Sequence, residues 1–446
     1  MKLSDNLVPV DLIIEVRWLC PIIPENTLFE HQSVVIQSGK IVDICATSIV
    51  GKKYQAGEVV QLTEHVLIPG LINLHTHAAM SLMRGLADDL PLMSWLEQHI
   101  WPAEHALVSE RYVQDATLLA CAEMLSGGIT CFNDMYYFPQ AAAMAATQAD
   151  MRANLGLVVI EFPSAYASDA DDYLQKGFIA HDSWRNNPLI TSSIAPHAPY
   201  TVSNKTFESI MTYAEQLGLG IHMHLHETRD EIAQSEAQYG MRPLQRLTEL
   251  GLLGPNFVAA HGVHLLNHEI EMLAEYGCHV AHCPTSNLKL ASGIAPVAQL
   301  LNQGVNVGLG TDGAASNNRL DIFAEMRLSA LLAKGISGDA TAVPAHQALE
   351  MATINAAKAM SLDDKIGSIE IGKIADLTAV KLGDLNISPC YDPISHLVYV
   401  CGREHVTHTW VAGELRYSNG MYANIEPNEL KEIISTWQPK LKQHKH

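Results

Sequence analysis

Short apolar runs, each released into a histidine or an acid, recur along the middle of the chain. Val66–Leu74 runs into His75-Thr76-His77, Gly128–Phe132 into Asn133-Asp134, Asn154–Ile160 into Glu161, and Leu189–Ile194 toward His197. Gly220–His226 ends at Glu227, Asn256–Ala260 at His261, Cys278–Ala281 at His282, and Val305–Gly310 at Thr311-Asp312. Runs this short, bounded by polar residues, read as buried strands. Between them lie amphipathic stretches with helix punctuation. Ser109 precedes one that stops at Gly127-Gly128, Ser203 one that stops at Gly218, and Asn267 one that stops at Gly277. Eight strand–helix units predict an α/β fold, a TIM-like (β/α)8 barrel, whose chemistry sits at the carboxyl ends of the strands. The histidines and acids fall on that rim.

The flanks have a different rhythm. Ser33–Gln37 and Lys40–Ile44 before the barrel, and Gly367–Leu377 and Thr407–Gly413 after it, are β-rich pieces around turn residues. Neither flank is long enough for a robust domain alone, so the two ends are expected to pair into one small β-sandwich. The organisation read from the chain is residues 1–65 as the first part of that sandwich, 66–365 as the barrel, and 366–446 as the rest of the sandwich. A polar helix and a solvated Lys/His-rich tail close the chain.

Composition narrows the class. A chain of 446 residues with 48% apolar content suits a barrel with an accessory domain. Its 28 basic and 48 acidic residues give a net charge of −20, which argues against nucleic acid or an anionic membrane as partner. The eight cysteines form no Cys-x-x-Cys pair, and several lie inside apolar runs, as reduced core thiols do. Met1–Asn6 lacks a leader pattern, and no stretch approaches the roughly 18 uninterrupted apolar residues of a membrane helix. A cytoplasmic protein is expected.

The candidate chemistry begins at His75-Thr76-His77. Strand alternation sends residues 75 and 77 to one side, side by side at a strand end, ready to share a metal ion. Alone, the tripeptide in a chain with 22 histidines also fits two solvent-facing histidines. The wider pattern is more specific. Pro69–His77, the His224–Glu227 segment, His261, Thr311-Asp312 and Gly372–Asp376 together resemble the signature of the amidohydrolase superfamily. Met80–Leu90, Trp95-Leu96, Trp101–Glu104 and His282–Asn287 are similar to its methylthioadenosine/S-adenosylhomocysteine deaminase branch, which is related to the triazine hydrolases.

That resemblance implies a site. His75, His77, His224 and Asp312 would be the metal ligands, three neutral imidazoles and a carboxylate that suit one divalent ion per chain. Zinc is the first choice, and iron(II) or manganese fits the same donors. The modified lysine of two-metal relatives has no counterpart in Ser193–Tyr200. Glu227, His261 and Asp312 would be catalytic: Glu227 moving a proton from water to the ring, His261 polarising the water, Asp312 doubling as ligand and proton acceptor. Glu104 would accept the ribose hydroxyls, His197 would contact the nucleoside, Glu227 and Asp312 would face the base, and Arg152 would meet a homocysteine carboxylate. A second arginine for that carboxylate is absent from Val158–Ser164, which favours methylthioadenosine. His222 and His226, although they alternate with His224, would support the site rather than bind metal. His264, His279 and His282 are read as structural, with His282 nearest the pocket.

The activity implied is hydrolytic deamination of 5′-methylthioadenosine, S-adenosylhomocysteine or adenosine to the inosine analogue and ammonia, by a homo-oligomer (dimer or tetramer). Two alternatives stay open. One is a triazine or other heterocycle aminohydrolase or chlorohydrolase on the same site. The other is a metal-free barrel serving as an interaction protein.

Overall fold

The computed structural model describes residues 7–444. Met1–Asn6 and the last two residues of the Lys/His-rich tail lie outside the described residues. The strands in chain order are β1 (Val8–Leu19), β2 (Phe29–Gln37), β3 (Lys40–Ala46), β4 (Tyr54–Pro69), β5 (Leu71–Thr76), β6 (Ile129–Tyr136), β7 (Arg152–Val159) and β8 (Ile190–Pro196). They continue as β9 (Gly220–Leu225), β10 (Phe257–His261), β11 (His279–His282), β12 (Asn306–Leu309), β13 (Leu377–Lys381), β14 (Val406–Val411), β15 (Glu414–Ser418) and β16 (Met421–Tyr422).

These strands form two eight-stranded sheets. In one, β5 to β12 lie in sequence order, and every neighbouring pair is parallel. The Asp312 amide donates to the His75 carbonyl at 2.9 Å and joins the last strand to the first. Gly310 permits this closure, because a Cβ there would meet the His75 backbone at 2.8 Å. Inside the barrel, Ile72 and Leu74 of β5 gather with Cys131, Val258, Ala260 and Ala281 of other strands and with Ala356 and Ala357 of the helix Ile354–Ala359. Polar side chains share the interior: Asn154 donates to Asn133 Oδ1 at 2.7 Å and to Ser193 Oγ at 3.0 Å.

The other sheet is built from both chain ends in the order β16-β15-β14-β13-β4-β1-β2-β3. The halves join where β4 runs antiparallel to β13. Its core gathers Leu12, Ile14, Val34 and Ile36 from the first end with Leu377, Ala379 and Trp410 from the second. The expected barrel and two-ended β-domain are therefore the architecture observed. The run Val66–Leu74, read as one strand, is divided at Gly70. Val66 to Pro69 end β4 in the outer sheet, and the barrel begins at Leu71. Gly70 leaves no room for a Cβ against Thr130, which forces the close crossing.

Helix punctuation held at two of three sites. Ser109 caps Glu110–Ser126 and Ser203 caps Asn204–Leu217, which Gly218 closes in the left-handed region at φ +65°. Asn267 is instead the first residue of its helix. Leu266 occupies the cap position, and Glu269 accepts its amide at 2.8 Å. The terminal helix Pro427–Leu441, polar on most of its surface, is docked: Ile433, Trp437 and Leu441 are buried at a spacing of four. Trp437 stacks edge-on with Tyr112, ring centres 5.0 Å apart, and donates to Asp115 at 2.9 Å. All eight cysteines are free. No described helix is long and apolar enough to cross a membrane.

Candidate metal centre

Four barrel strands deliver side chains to one point at the carboxyl rim. His75 ends β5, His77 follows it, His224 lies on β9, His261 ends β10, and Asp312 follows β12. His75 Nε2 lies 3.4 Å and His77 Nε2 3.2 Å from Asp312 Oδ1, and His224 Nε2 lies 3.3 Å from His77 Nε2. One donor atom from each of His75, His224, His261 and Asp312 falls within 4.8 Å of the others. The four predicted ligands thus converge, and His261 joins them.

Hydrogen bonds settle which nitrogen of each ring is free. His77 Nδ1 faces the Met135 carbonyl at 2.5 Å and His224 Nδ1 the His197 carbonyl at 2.7 Å. His261 Nδ1 meets Asn287 Oδ1 at 2.8 Å, and His75 Nδ1 meets His222 Nε2 at 2.9 Å. A carbonyl only accepts, so the rings of His77, His224 and His261 carry a proton on Nδ1 and turn Nε2 to the centre. Asp312 Oδ2 accepts the hydroxyls of Ser286 and Ser316, both at 2.6 Å, leaving Oδ1. His75 Nε2 and Asp312 Oδ1 are buried with no hydrogen-bond partner. Orphaned buried polar atoms are costly, and lone pairs pointed at one another are worse. A divalent cation answers both, so the donor set fits a metal.

The electrostatics agree. Burial pushes the His75 imidazole down to about 4 and His224 well below its ordinary range. Burial also opposes ionisation of Asp312, but the imidazoles of His75 and His77 beside it hold it well below the usual carboxylate range. Burial likewise disfavours a charged His77, yet Asp312 outweighs it and lifts that ring to about 9. The positive charge that Asp312 requires is thus a proton on His77, which a cation displaces. His261 and Asp312 stand in the left-handed region at φ +75° and +60°. Such backbone costs on the order of 1–3 kcal/mol per residue and gathers at functional sites.

Beside these ligands opens a cleft of about 710 Å³, counted to its mouth. Glu227 stands in its wall, with Oε2 3.8 Å from His261 Nε2 and Oε1 accepting from Ser292 at 3.4 Å. Burial raises its carboxyl above the ordinary range. Glu104 faces the same cleft, accepts the Tyr136 hydroxyl at 2.6 Å, and is pushed by burial up to about 7. His197, Trp95, Trp101 and Met80 also line it, whereas Met83 is core.

Arg152 is not at this site. It begins β7 at the opposite, amino end of the barrel, where its Nε meets Asp376 Oδ2 at 2.9 Å and Nη1 the Pro188 carbonyl at 3.1 Å. Strand direction is the reason: the first residue of a barrel strand lies a strand length from the rim where the chemistry sits. His226 accepts the Leu244 amide at 3.1 Å, His264 and His279 bond to carbonyls, and His282 does not line the cleft. Ser316, Met135 and Tyr136 were not legible as site residues. Ser286 and Asn287 lay in a stretch flagged only by resemblance.

A closed parallel barrel with imidazoles and one carboxylate at its carboxyl rim defines a metal-dependent hydrolase. The chain belongs to the amidohydrolase family, whose model matches residues 66–416. It is 46% identical over 436 residues, 98% of each chain, to a 5-methylthioadenosine/S-adenosylhomocysteine deaminase of Saccharophagus degradans. Its fold matches the crystal structure of an adenosine deaminase from Xanthomonas campestris with bound zinc at a TM-score of 0.97, with 44% identity and coverage of 98% of this chain and 100% of that one. A triazine hydrolase variant shares the fold at a TM-score of 0.88 and 22% identity, over 96% of this chain and 99% of that one.

Proposed function

We propose that this chain deaminates 5′-methylthioadenosine, and more weakly S-adenosylhomocysteine, to the inosine analogue and ammonia. The observation that carries this reading is Glu227, a buried carboxyl with a raised pKa beside His261 and the ligand cluster. Deamination of a purine needs such a group, since the ring accepts water only once its nitrogen is protonated. The relatives named above support the choice of ring.

His75, His77, His224 and Asp312 would hold zinc, which when bound lowers the pKa of its water to about 7. His261 Nε2 holds and polarises the attacking water. Glu227 takes its proton and delivers it to the ring nitrogen beside the carbon under attack. The new C–O bond forms there, Asp312 takes the second proton and passes it to the amino group, and the C–N bond breaks to release ammonia. Glu104 offers one carboxylate oxygen to each ribose hydroxyl, and His197 packs on the nucleoside. The cleft lining includes no lysine or arginine among the described residues, which favours the uncharged methylthio group over a homocysteine tail.

Glu227→Gln tests the assignment. It should keep its metal and lose 10²–10⁴-fold in kcat, the range of a general acid/base. Loss of metal in that variant would make Glu227 a ligand, and faster turnover of a triazine than of either nucleoside would overturn the substrate.

A further inference from the structure

The turn that carries Glu227 is held in an unusual way. His226 stands in the left-handed region at φ +54°, and Thr228 caps the helix Arg229–Tyr239 by accepting the Glu231 amide at 3.2 Å. A glutamate at this third helical position ordinarily reaches back to the amide of the cap residue. Glu231 reaches past it. Its Oε1 accepts the His226 amide and its Oε2 the Glu227 amide, both at 2.8 Å.

Helix stability alone does not account for this. Thr228 already satisfies a helix amide, and Glu231 is 4% exposed with both side-chain hydrogen bonds to backbone amides. Burying a carboxylate without a cation at hand is costly, and burial pushes this one up to about 7. Both of its oxygens are engaged on the two consecutive peptide units that lead into Glu227. Rotation of the peptide unit between His226 and Glu227 would break one of the two bonds and swing the Glu227 carboxyl from its place 3.8 Å from His261.

We infer that Glu231 is a positioning residue, a two-pronged backbone clamp that aims the Glu227 carboxyl at the reacting nitrogen. This rests on the acid–base role proposed for Glu227, and the test separates the two. Steady-state deamination of 5′-methylthioadenosine is measured for the metal-loaded protein, Glu231→Gln, Glu227→Gln and the double variant, with metal content and thermal unfolding recorded for each. Glutamine keeps one accepting oxygen but turns an N–H donor toward the second amide. Misplacement of a catalytic group by about 1 Å costs roughly 10²-fold, so Glu231→Gln should lose about that in kcat, with metal content and KM near those of the parent. In the Glu227→Gln background the same change should cost less than about twofold, because the clamped group no longer acts.

Equal losses in both backgrounds would overturn the inference, as would parent-like kcat in Glu231→Gln. Loss of metal or of folding in Glu231→Gln brings in Glu231→Asp, which keeps the charge but shortens the reach and should show the same coupling. If neither variant folds with its metal, Glu231 is a folding element and the inference fails. A Glu227→Gln protein with parent-like kcat would instead overturn the role of Glu227 itself.

Discussion

Truncation of Arg152 should cost stability and leave substrate choice untouched. Its guanidinium holds Asp376 with two prongs, Nε to Oδ2 at 2.9 Å and Nη2 to Oδ1 at 3.3 Å, with side-chain exposures of 5% and 1%. Asp376 also accepts the Ala412 amide at 2.7 Å, and its carbonyl accepts the Gly70 amide at 2.8 Å. The pair therefore ties the amino end of the barrel to the two-ended sheet. Arg152→Ala leaves Asp376 buried with one amide and no counter-charge, a loss of about 3–5 kcal/mol. Replacing both partners by apolar residues, Arg152→Met with Asp376→Leu, should recover most of that, since no charge is then stranded. Urea unfolding followed by tryptophan fluorescence reads the stability. The ratio of kcat/KM for methylthioadenosine to that for S-adenosylhomocysteine, measured where the variant is folded, should stay within about twofold of the parent. A folded Arg152→Ala protein with parent-like stability and a selective loss on S-adenosylhomocysteine would refute the reasoning.

Further outcomes follow from the same geometry. Chelation should remove about one ion per chain, and zinc at a thousandfold over its Kd should return about 4 kcal/mol of stability with the activity; His224→Ala should bind no metal by elemental analysis. A 2′-deoxy substrate leaves one oxygen of Glu104 unmet and should lose roughly 10- to 150-fold in kcat/KM, a preference that Glu104→Ala should erase. Only ionised Glu104 accepts both hydroxyls, and burial holds it up at about 7, so KM should rise as pH falls through 7 in the parent but not in Glu104→Gln. Trp437→Ala should cost about 3–5 kcal/mol while the folded fraction keeps its kcat, which thermal unfolding and assay together would check.

Much of this architecture is legible in the sequence. Eight apolar runs with polar exits define parallel strands buried on both faces, and alternation puts His75 and His77 on the same side; the register shift after Asn73 turns His75 inward. Local chemistry also set two helix starts, because Ser109 and Ser203 cap through their own hydroxyls. Where a local signal had a competitor, the sequence misled. Asn267 yielded the cap position to Leu266 because Glu269 accepts its amide, and Val66–Leu74 broke at Gly70 because two sheets cross there. The terminal helix reads as polar, yet three residues spaced by four suffice to dock it.

The sequence by itself determined the candidate ligand types, the strands that carry them and the rim on which they stand, since each apolar run ends where its polar exit begins. Tertiary structure decided the rest. Whether Arg152 meets substrate or Asp376 depends on which end of β7 it occupies relative to the rim, and spacing is silent on partners 224 residues away. The serines on Asp312 Oδ2, the carbonyls that set the His77, His224 and His261 protons and the Glu231 clamp come from separate strands and loops. Closure of the barrel brings most of them together, and directional hydrogen bonds hold them at a geometry no run of residues encodes.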